Sequence, residues 1–202
     1  MTPLILALDT THEHGSIALV RGDDVLEEES LHEPAGFSKV LFGRLHELLA
    51  RHAVTPADID GFAAAAGPGS FTGVRVGLAC IKGLAEALGR PAIGVSNLEA
   101  LARFGSGPLR AVMIDARREE IYGAVYDAGG AMASPEVVMR EADWRRSLPP
   151  GVEVITEGRA LAAMVGRIAA ERLARGDRGD PAAIDANYVR RSDAELLFGR
   201  RG

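Results

Sequence analysis

Gly67-Pro68-Gly69-Ser70-Phe71-Thr72-Gly73-Val74-Arg75-Val76-Gly77 joins an apolar run, Phe62 to Ala66, to a stretch that is small or apolar around most of a helical circumference. Gly67 and Gly69 can take positive φ or admit another backbone, Pro68 stiffens the corner, and Ser70 is a favourable helix N-cap. A strand thus stops and a helix starts within four residues. The first N–H groups of such a helix lack helical partners and carry the positive end of its dipole, so a phosphate or carboxylate could sit there.

Along the helix, Gly73, Gly77, Ile81, Leu84 and Leu88 form one stripe, and Val76, Cys80, Gly83 and Ala87 a second. Arg75, Lys82 and Glu86 mark its polar side. Each interior glycine costs roughly 1 kcal/mol against alanine, so Gly73, Gly77 and Gly83 together ask for close approach by another element. Two readings follow. The helix is buried within its own domain, between a sheet and a neighbouring helix, or it is a subunit interface.

Composition sets the bounds. At 202 residues, 47% hydrophobic and 25% charged, the chain is an ordinary globular protein, large enough for one substantial core or two lobes. No apolar run approaches the ~20 residues of a membrane span, and the N-terminus lacks the basic region and cleavage site of a secretory signal, so a cytoplasmic protein without membrane attachment is expected. One cysteine excludes an internal disulfide and a cysteine-based zinc site, and Cys80 reads as a small apolar residue rather than a nucleophile. A net charge of −5 argues against a protein that grips nucleic acid alone.

Outward from the glycine-rich turn the elements alternate. Leu4 to Leu8, Ser16 to Val20 and Val25 to Leu31 predict a three-strand meander, with Asp9-Thr10-Thr11 after its first strand. Phe37, Val40, Leu41, Leu45, Leu48 and Leu49 keep helical spacing, with Phe42 off the stripe as an extra exposed aromatic. Ala92 to Val95 reads as a strand, followed by a helix opening at Ser96 or Asn97 with Glu99 at the capping-box position. After Gly105-Ser106-Gly107-Pro108 the pattern restarts: Leu109 to Ile114 runs into Asp115 as the first strand runs into Asp9, then strands at 121–126, 137–139 and 152–155 and a helix at 160–174. The echo predicts two related α/β lobes, residues 1–104 and 105–202, the second shortened. The tail Tyr188-Val189-Arg190-Arg191 is expected to return to the body, with 199–202 frayed.

Leu4-Ile5-Leu6-Ala7-Leu8-Asp9-Thr10-Thr11, the Gly67 to Gly77 run and Ile114-Asp115-Ala116-Arg117-Arg118-Glu119-Glu120-Ile121-Tyr122, in this order and spacing, resemble the TsaB family. The likeness covers about residues 1 to 126 well and the rest loosely. It implies an α/β fold of two RNase H-like lobes, shared with actin, sugar kinases and Hsp70. It further implies an accessory subunit for threonylcarbamoyl transfer to the adenosine next to the tRNA anticodon. Such a subunit pairs with a homologous catalytic subunit, TsaD, helps recruit the ATPase TsaE, and meets tRNA only through the complex. Two segments depart from the family pattern: Thr156-Glu157-Gly158-Arg159 stands for its Gly-Asp-Gly, and Ala186-Asn187-Tyr188-Val189-Arg190 for its Pro-x-Tyr-x-Arg.

In ATPases of that fold, an Asp after the first strand organises a metal and neighbouring hydroxyls bind phosphate; Asp9, Thr10 and Thr11 are the matching groups, as vestigial or junction nucleotide contacts. The second lobe places Ala116, Arg117, Arg118, Glu119 and Glu120 after Asp115, with no glycine to bring a phosphate to the backbone. Half the clamp is missing. Asp9 then caps its own turn, or serves as metal organiser of a free-standing ATPase or kinase, the alternative function. No catalytic residue is expected, nor a cofactor of the chain's own, with ATP or ADP expected only at a subunit junction. No His-x-x-x-His pair exists among His12, His14, His32, His46 and His52, which leaves a metallopeptidase reading little support. Phe37-Ser38 stands where many family members have His-Ser, and His12-Glu13-His14, without a third ligand nearby in sequence, reads as a solvated turn.

The interface reading places Phe42, Phe71, Gly73, Val74, Val76, Gly77, Cys80 and Ile81 against a partner, either the catalytic subunit or a second copy in a homodimer. It predicts that Gly73→Leu or Gly77→Leu blocks association while the monomer stays folded.

Overall fold

The computed structural model describes residues 2–189 apart from positions 157 and 159. Glu157, Arg159, Arg190, Arg191 and the 199–202 terminus, singled out in the sequence, lie outside the described residues. Five strands form the first sheet: β1 (Leu4–Asp9), β2 (His14–Arg21), β3 (Asp24–His32), β4 (Gly61–Ala65) and β5 (Ala92–Val95), in the order β3-β2-β1-β4-β5. β1 to β3 are the expected antiparallel meander, and β4 and β5 add in parallel. Parallel strands need helical crossovers, and α1 (Leu41–Arg51) and α2 (Phe71–Leu88) provide them. After α3 (Asn97–Ala102), strands β6 (Leu109–Arg117), β7 (Glu120–Asp127), β8 (Met132–Arg140) and β9 (Glu153–Thr156) form a second sheet in the order β8-β7-β6-β9. It too is a meander with one parallel strand, so the echo at Asp115 reflects a repeated RNase H-like topology, one strand shorter in the second sheet.

Every residue of β1 is buried, as a central strand covered on both faces requires. Leu4, Leu6 and Leu8 face one way and pack with Leu45 and Leu48 of α1 and Val74, Leu78 and Ile81 of α2. Ile5 and Ala7 face the other way, toward Leu98 and Leu101 of α3 and Val165 and Ile168 of α5 (Ala162–Ala174). The second sheet closes on those same helices through Val112 and Ile114. The layers are therefore α1 and α2, first sheet, α3 and α5, second sheet. Burying each large aliphatic chain contributes about 1.5 to 3 kcal/mol, so this double-sided packing is the main source of cohesion.

Although α5 follows the second sheet in sequence, it lies against β1, β2 and β4. Its first amides find partners there: Ala162 N donates to Ser16 Oγ at 3.0 Å and Ala163 N to Glu28 Oε1 at 2.8 Å. α4 (Glu141–Ser147) has no counterpart in the sequence reading. It buries a single residue, Trp144, against Gly123, and a seven-residue helix with one apolar anchor leaves no periodic stripe to detect.

Candidate functional site

β1 ends by turning its last side chain inward. Asp9 is 3% exposed, and its Oδ1 accepts from Thr11 N at 2.9 Å and from Thr11 Oγ1 at 2.6 Å. Burial pushes the Asp9 carboxyl above the usual aspartate range, opposed by the Thr11 hydrogen bonds. Thr11 is tied further, because Asn97 Nδ2 donates to Thr11 Oγ1 at 2.6 Å while Gly67 N donates to Asn97 Oδ1 at 3.0 Å. Thr10 Oγ1 donates to Gly73 O at 2.7 Å, and Ser70 N donates to Thr11 O at 2.7 Å. The Asp-Thr-Thr turn, the glycine-rich turn and the N-terminus of α3 are thus one hydrogen-bonded unit.

That unit decides what Asp9, Thr10 and Thr11 can do. Both threonines are buried, their hydroxyl protons are committed within the chain, and Asp9 Oδ1 holds Thr11. These bonds give the three residues a structural role in the turn, while Asp9 also lines the cleft between the sheets. Ser70 does act as the N-cap of α2, accepting from Gly73 N at 3.3 Å.

Two of the α2 glycines face inward. A Cβ on Gly73 would lie 2.0 Å from Thr10 O, and one on Gly77 would lie 2.7 Å from Thr10 Oγ1 and 3.1 Å from Leu8 Cδ1. Their missing side chains admit the chain's own β1 turn, so Gly73→Leu and Gly77→Leu are internal lesions and not interface probes. Val74, Cys80 and Ile81 join the core between α2 and the first sheet. Burial also pushes the Cys80 thiol up to about 11, so it stays protonated and unreactive at neutral pH. Of the interface set, Phe42 and Phe71 are exposed, at 63% and 57%, and Val76 is half-buried. The outer face of α2 carries the small or apolar Thr72, Val76, Ala79, Gly83 and Ala87 together with exposed Arg75 and Glu86, and among the described residues nothing lies within 4 Å of a Cβ built on Gly83. Arg75 stacks its guanidinium 3.2 Å from the Phe71 ring centroid, and Tyr188 tilts against the same ring at 5.8 Å. The described part of the C-terminal tail therefore does return to the body, beside α2.

Between the two sheets opens a cleft of about 820 Å³. Asp9 lines it from the end of β1 and Asp115 from near the end of β6, with Arg117 and Tyr122 from the β6–β7 hairpin. Its other rim is formed by the β1–β2 turn and the end of β3, with His12, Glu13, His14 and His32. Here the structure supplies what local spacing lacked. The antiparallel register sets His32 opposite His14, and Glu13, His14 and His32 bring one ligand atom each to within 4.8 Å of one another. No nearby sequence position signals this, because His32 arrives through strand pairing.

Comparison with known proteins matches residues 35–168 to the family model described as TsaD, tRNA N6-adenosine threonylcarbamoyltransferase. The tRNA threonylcarbamoyladenosine biosynthesis protein TsaB of Bacillus subtilis is 35% identical over 71% of this chain and 65% of its own length. TsaB of Escherichia coli is also 35% identical, over 66% of this chain and 64% of its own length. The chain thus spans a little under two thirds of these named relatives. An uncharacterized Mycobacterium tuberculosis protein is 33% identical over 96% of this chain and 94% of its own length. Among solved structures, YeaZ from Pseudomonas aeruginosa superposes with a TM-score of 0.75 at 28% identity, covering 92% of this chain and 99% of that one. A second Pseudomonas aeruginosa structure, of an uncharacterized protein with similarity to peptidase YEAZ, gives 0.79 at 27% identity over 93% and 100%.

Proposed function

The chain belongs to the TsaB family, within the group that the TsaD model describes, and from that membership we propose that it serves threonylcarbamoyladenosine synthesis on tRNA. In this reading it is a non-catalytic subunit that pairs with a TsaD-type catalytic subunit and helps recruit a TsaE-type ATPase. A homodimer through the same surface forms when the catalytic subunit is absent. tRNA is met only through the complex, in the cytoplasm. ATP or ADP at the subunit junction belongs to the reading as well, with Asp9, Thr10 and Thr11 as vestigial or junction contacts.

One observation carries the pairing: the outer face of α2, where Thr72, Val76, Ala79, Gly83 and Ala87 form a small-residue stripe edged by Arg75 and Glu86, stands open beside the exposed Phe71. α1 covers the same side of the first sheet and adds exposed Phe42. Small residues let a partner helix approach closely, and aromatic anchors beside them supply the buried area of a specific contact, ~800 Å² per partner. The inner half of the helix is already used, so the face available to a partner is the outer one.

Light scattering after size-exclusion chromatography tests this, with the chain alone and mixed with the catalytic subunit of the same organism. A homodimer converting to a 1:1 heterodimer is expected. Among the described residues nothing lies within 4 Å of a Cβ at position 83, so Gly83→Leu should leave the fold intact while blocking both assemblies. A Gly83→Leu chain that binds the catalytic subunit with wild-type affinity would remove α2 from the interface.

A further inference from the structure

We propose that Glu13, His14 and His32 form a binding site for a zinc-class divalent cation at the mouth of the cleft between the two sheets. β2 begins at His14 and β3 ends at His32, and the two are register partners. Glu33 N donates to Glu13 O at 2.8 Å, which makes His14 and His32 a non-hydrogen-bonded pair, the type whose side chains approach most closely. Their rings stack at 4.2 Å between centroids, 11° from parallel. Glu13 adds a carboxylate 3.7 Å from His14 Nε2.

Two imidazoles and one carboxylate match zinc and its borderline neighbours, whereas magnesium and calcium prefer oxygen ligands throughout. Donors 2.0 to 2.2 Å from a tetrahedral zinc lie about 3.4 Å from each other. The three ligand atoms already lie within 4.8 Å of one another. All three side chains are exposed, so small rotamer changes close the remaining gap without disturbing the core. Because the protein supplies three ligands, at least one coordination position stays open. Glu13, His14 and His32 all line the cleft, so that position takes water or an anionic oxygen of a ligand entering between the sheets. The site differs from the Asp9 unit, whose carboxylate is buried and bonded to Thr11.

Calorimetric titration of the chelator-treated full chain with zinc chloride tests the site. One zinc per chain is expected. His32→Ala should weaken binding by at least ~10-fold, since loss of groups that merely support a ligand already costs 10 to 100-fold. His46→Ala, on the outer side of α1, should leave the affinity unchanged. The His32 variant is the decisive one because its ligand reaches the other two only through the β2–β3 register. Equal affinity in wild type and His32→Ala would reduce the site to the local His12-Glu13-His14 peptide and overturn the proposal, as would heats of dilution alone for the wild type. His32→Gln, checked by its urea midpoint, replaces His32→Ala should the alanine chain not fold.

Discussion

Asp9 ends the first strand of its lobe and Asp115 lies two residues before the end of the first strand of the other, and both make the same local bond, yet they sit in opposite surroundings. Each carboxylate Oδ1 accepts from the amide two residues on, Thr11 N at 2.9 Å and Arg117 N at 2.8 Å. Asp9 is 3% exposed and bonded to the Thr11 hydroxyl, whereas the Asp115 side chain is 55% exposed, 3.9 Å from Arg117 Nη1. The cause is what lies above each turn. In the first lobe α2 descends onto Thr10 through Gly73 and Gly77, and in the second the chain goes straight from β6 into the β7 hairpin. A repeated aspartate turn thus became a packed joint in one lobe and a solvated rim of the cleft in the other.

The largest effect should come from prising that joint open. Gly73→Leu places a side chain where Thr10 O lies 2.0 Å from the Cβ position, and a backbone atom cannot swing aside as a side-chain tip can. A cost of about 3 kcal/mol or more is expected, read as a lowered urea midpoint of the isolated chain. A wild-type midpoint would show that α2 does not depend on this close approach.

Removing the two aspartates comes next. Asp9→Ala strands the buried Thr11 amide and hydroxyl and should cost about 2 kcal/mol, while Asp115→Ala should stay within about 0.5 kcal/mol. Equal costs would mean that the two turns are energetically equivalent despite their burial. pH separates the carboxylate's charge from its hydrogen bonds. With its folded pKa raised, Asp9 keeps its proton in the native state to a higher pH than in the unfolded chain, where it titrates near about 3.9. Its contribution to stability is therefore fully present below pH ~4 and is lost as pH rises through the folded value. Asp9→Asn retains an acceptor for Thr11 N and removes the titration. The variant should gain on the wild type between pH 4 and 7 in urea melts, and parallel pH profiles would contradict the assignment.

The joint also shows what a sequence can and cannot disclose. Ser70 as N-cap, the strand before Gly67 and the strand echo at Asp115 were legible because each is local chemistry or local period. The direction of the glycines was not. Gly73, Gly77 and Gly83 carry the same signal of close approach, but two of them face the chain's own β1 turn and the third faces outward, a choice set by the tertiary position of the sheet. Two apolar stripes on α2 likewise do not reveal which covers the sheet, so Val74, Cys80 and Ile81 entered the expected interface although they belong to the core. His32 escaped for a related reason: its distance to His14 depends on strand register, which spacing along the chain does not encode.

The smallest effect tests the exposed half of the comparison. Arg117, Arg118 and Glu119 all have positive φ, at 66°, 56° and 62°. Among described non-glycine residues Ala53 alone shares that property, and no residue of the Asp9 turn does. A left-handed conformation costs an L-residue roughly 1 to 2 kcal/mol, and glycine escapes that cost while losing part of the gain to its greater freedom when unfolded. Arg118→Gly should therefore stabilise the chain by about 0.5 to 1 kcal/mol, seen as a raised urea midpoint with unchanged slope. A lowered midpoint would mean that the Arg118 side chain contributes more than the strain it carries. A raised one implies that arginine stands there despite its conformational cost, on a hairpin that borders the cleft, where the first lobe has packed its own turn away from solvent.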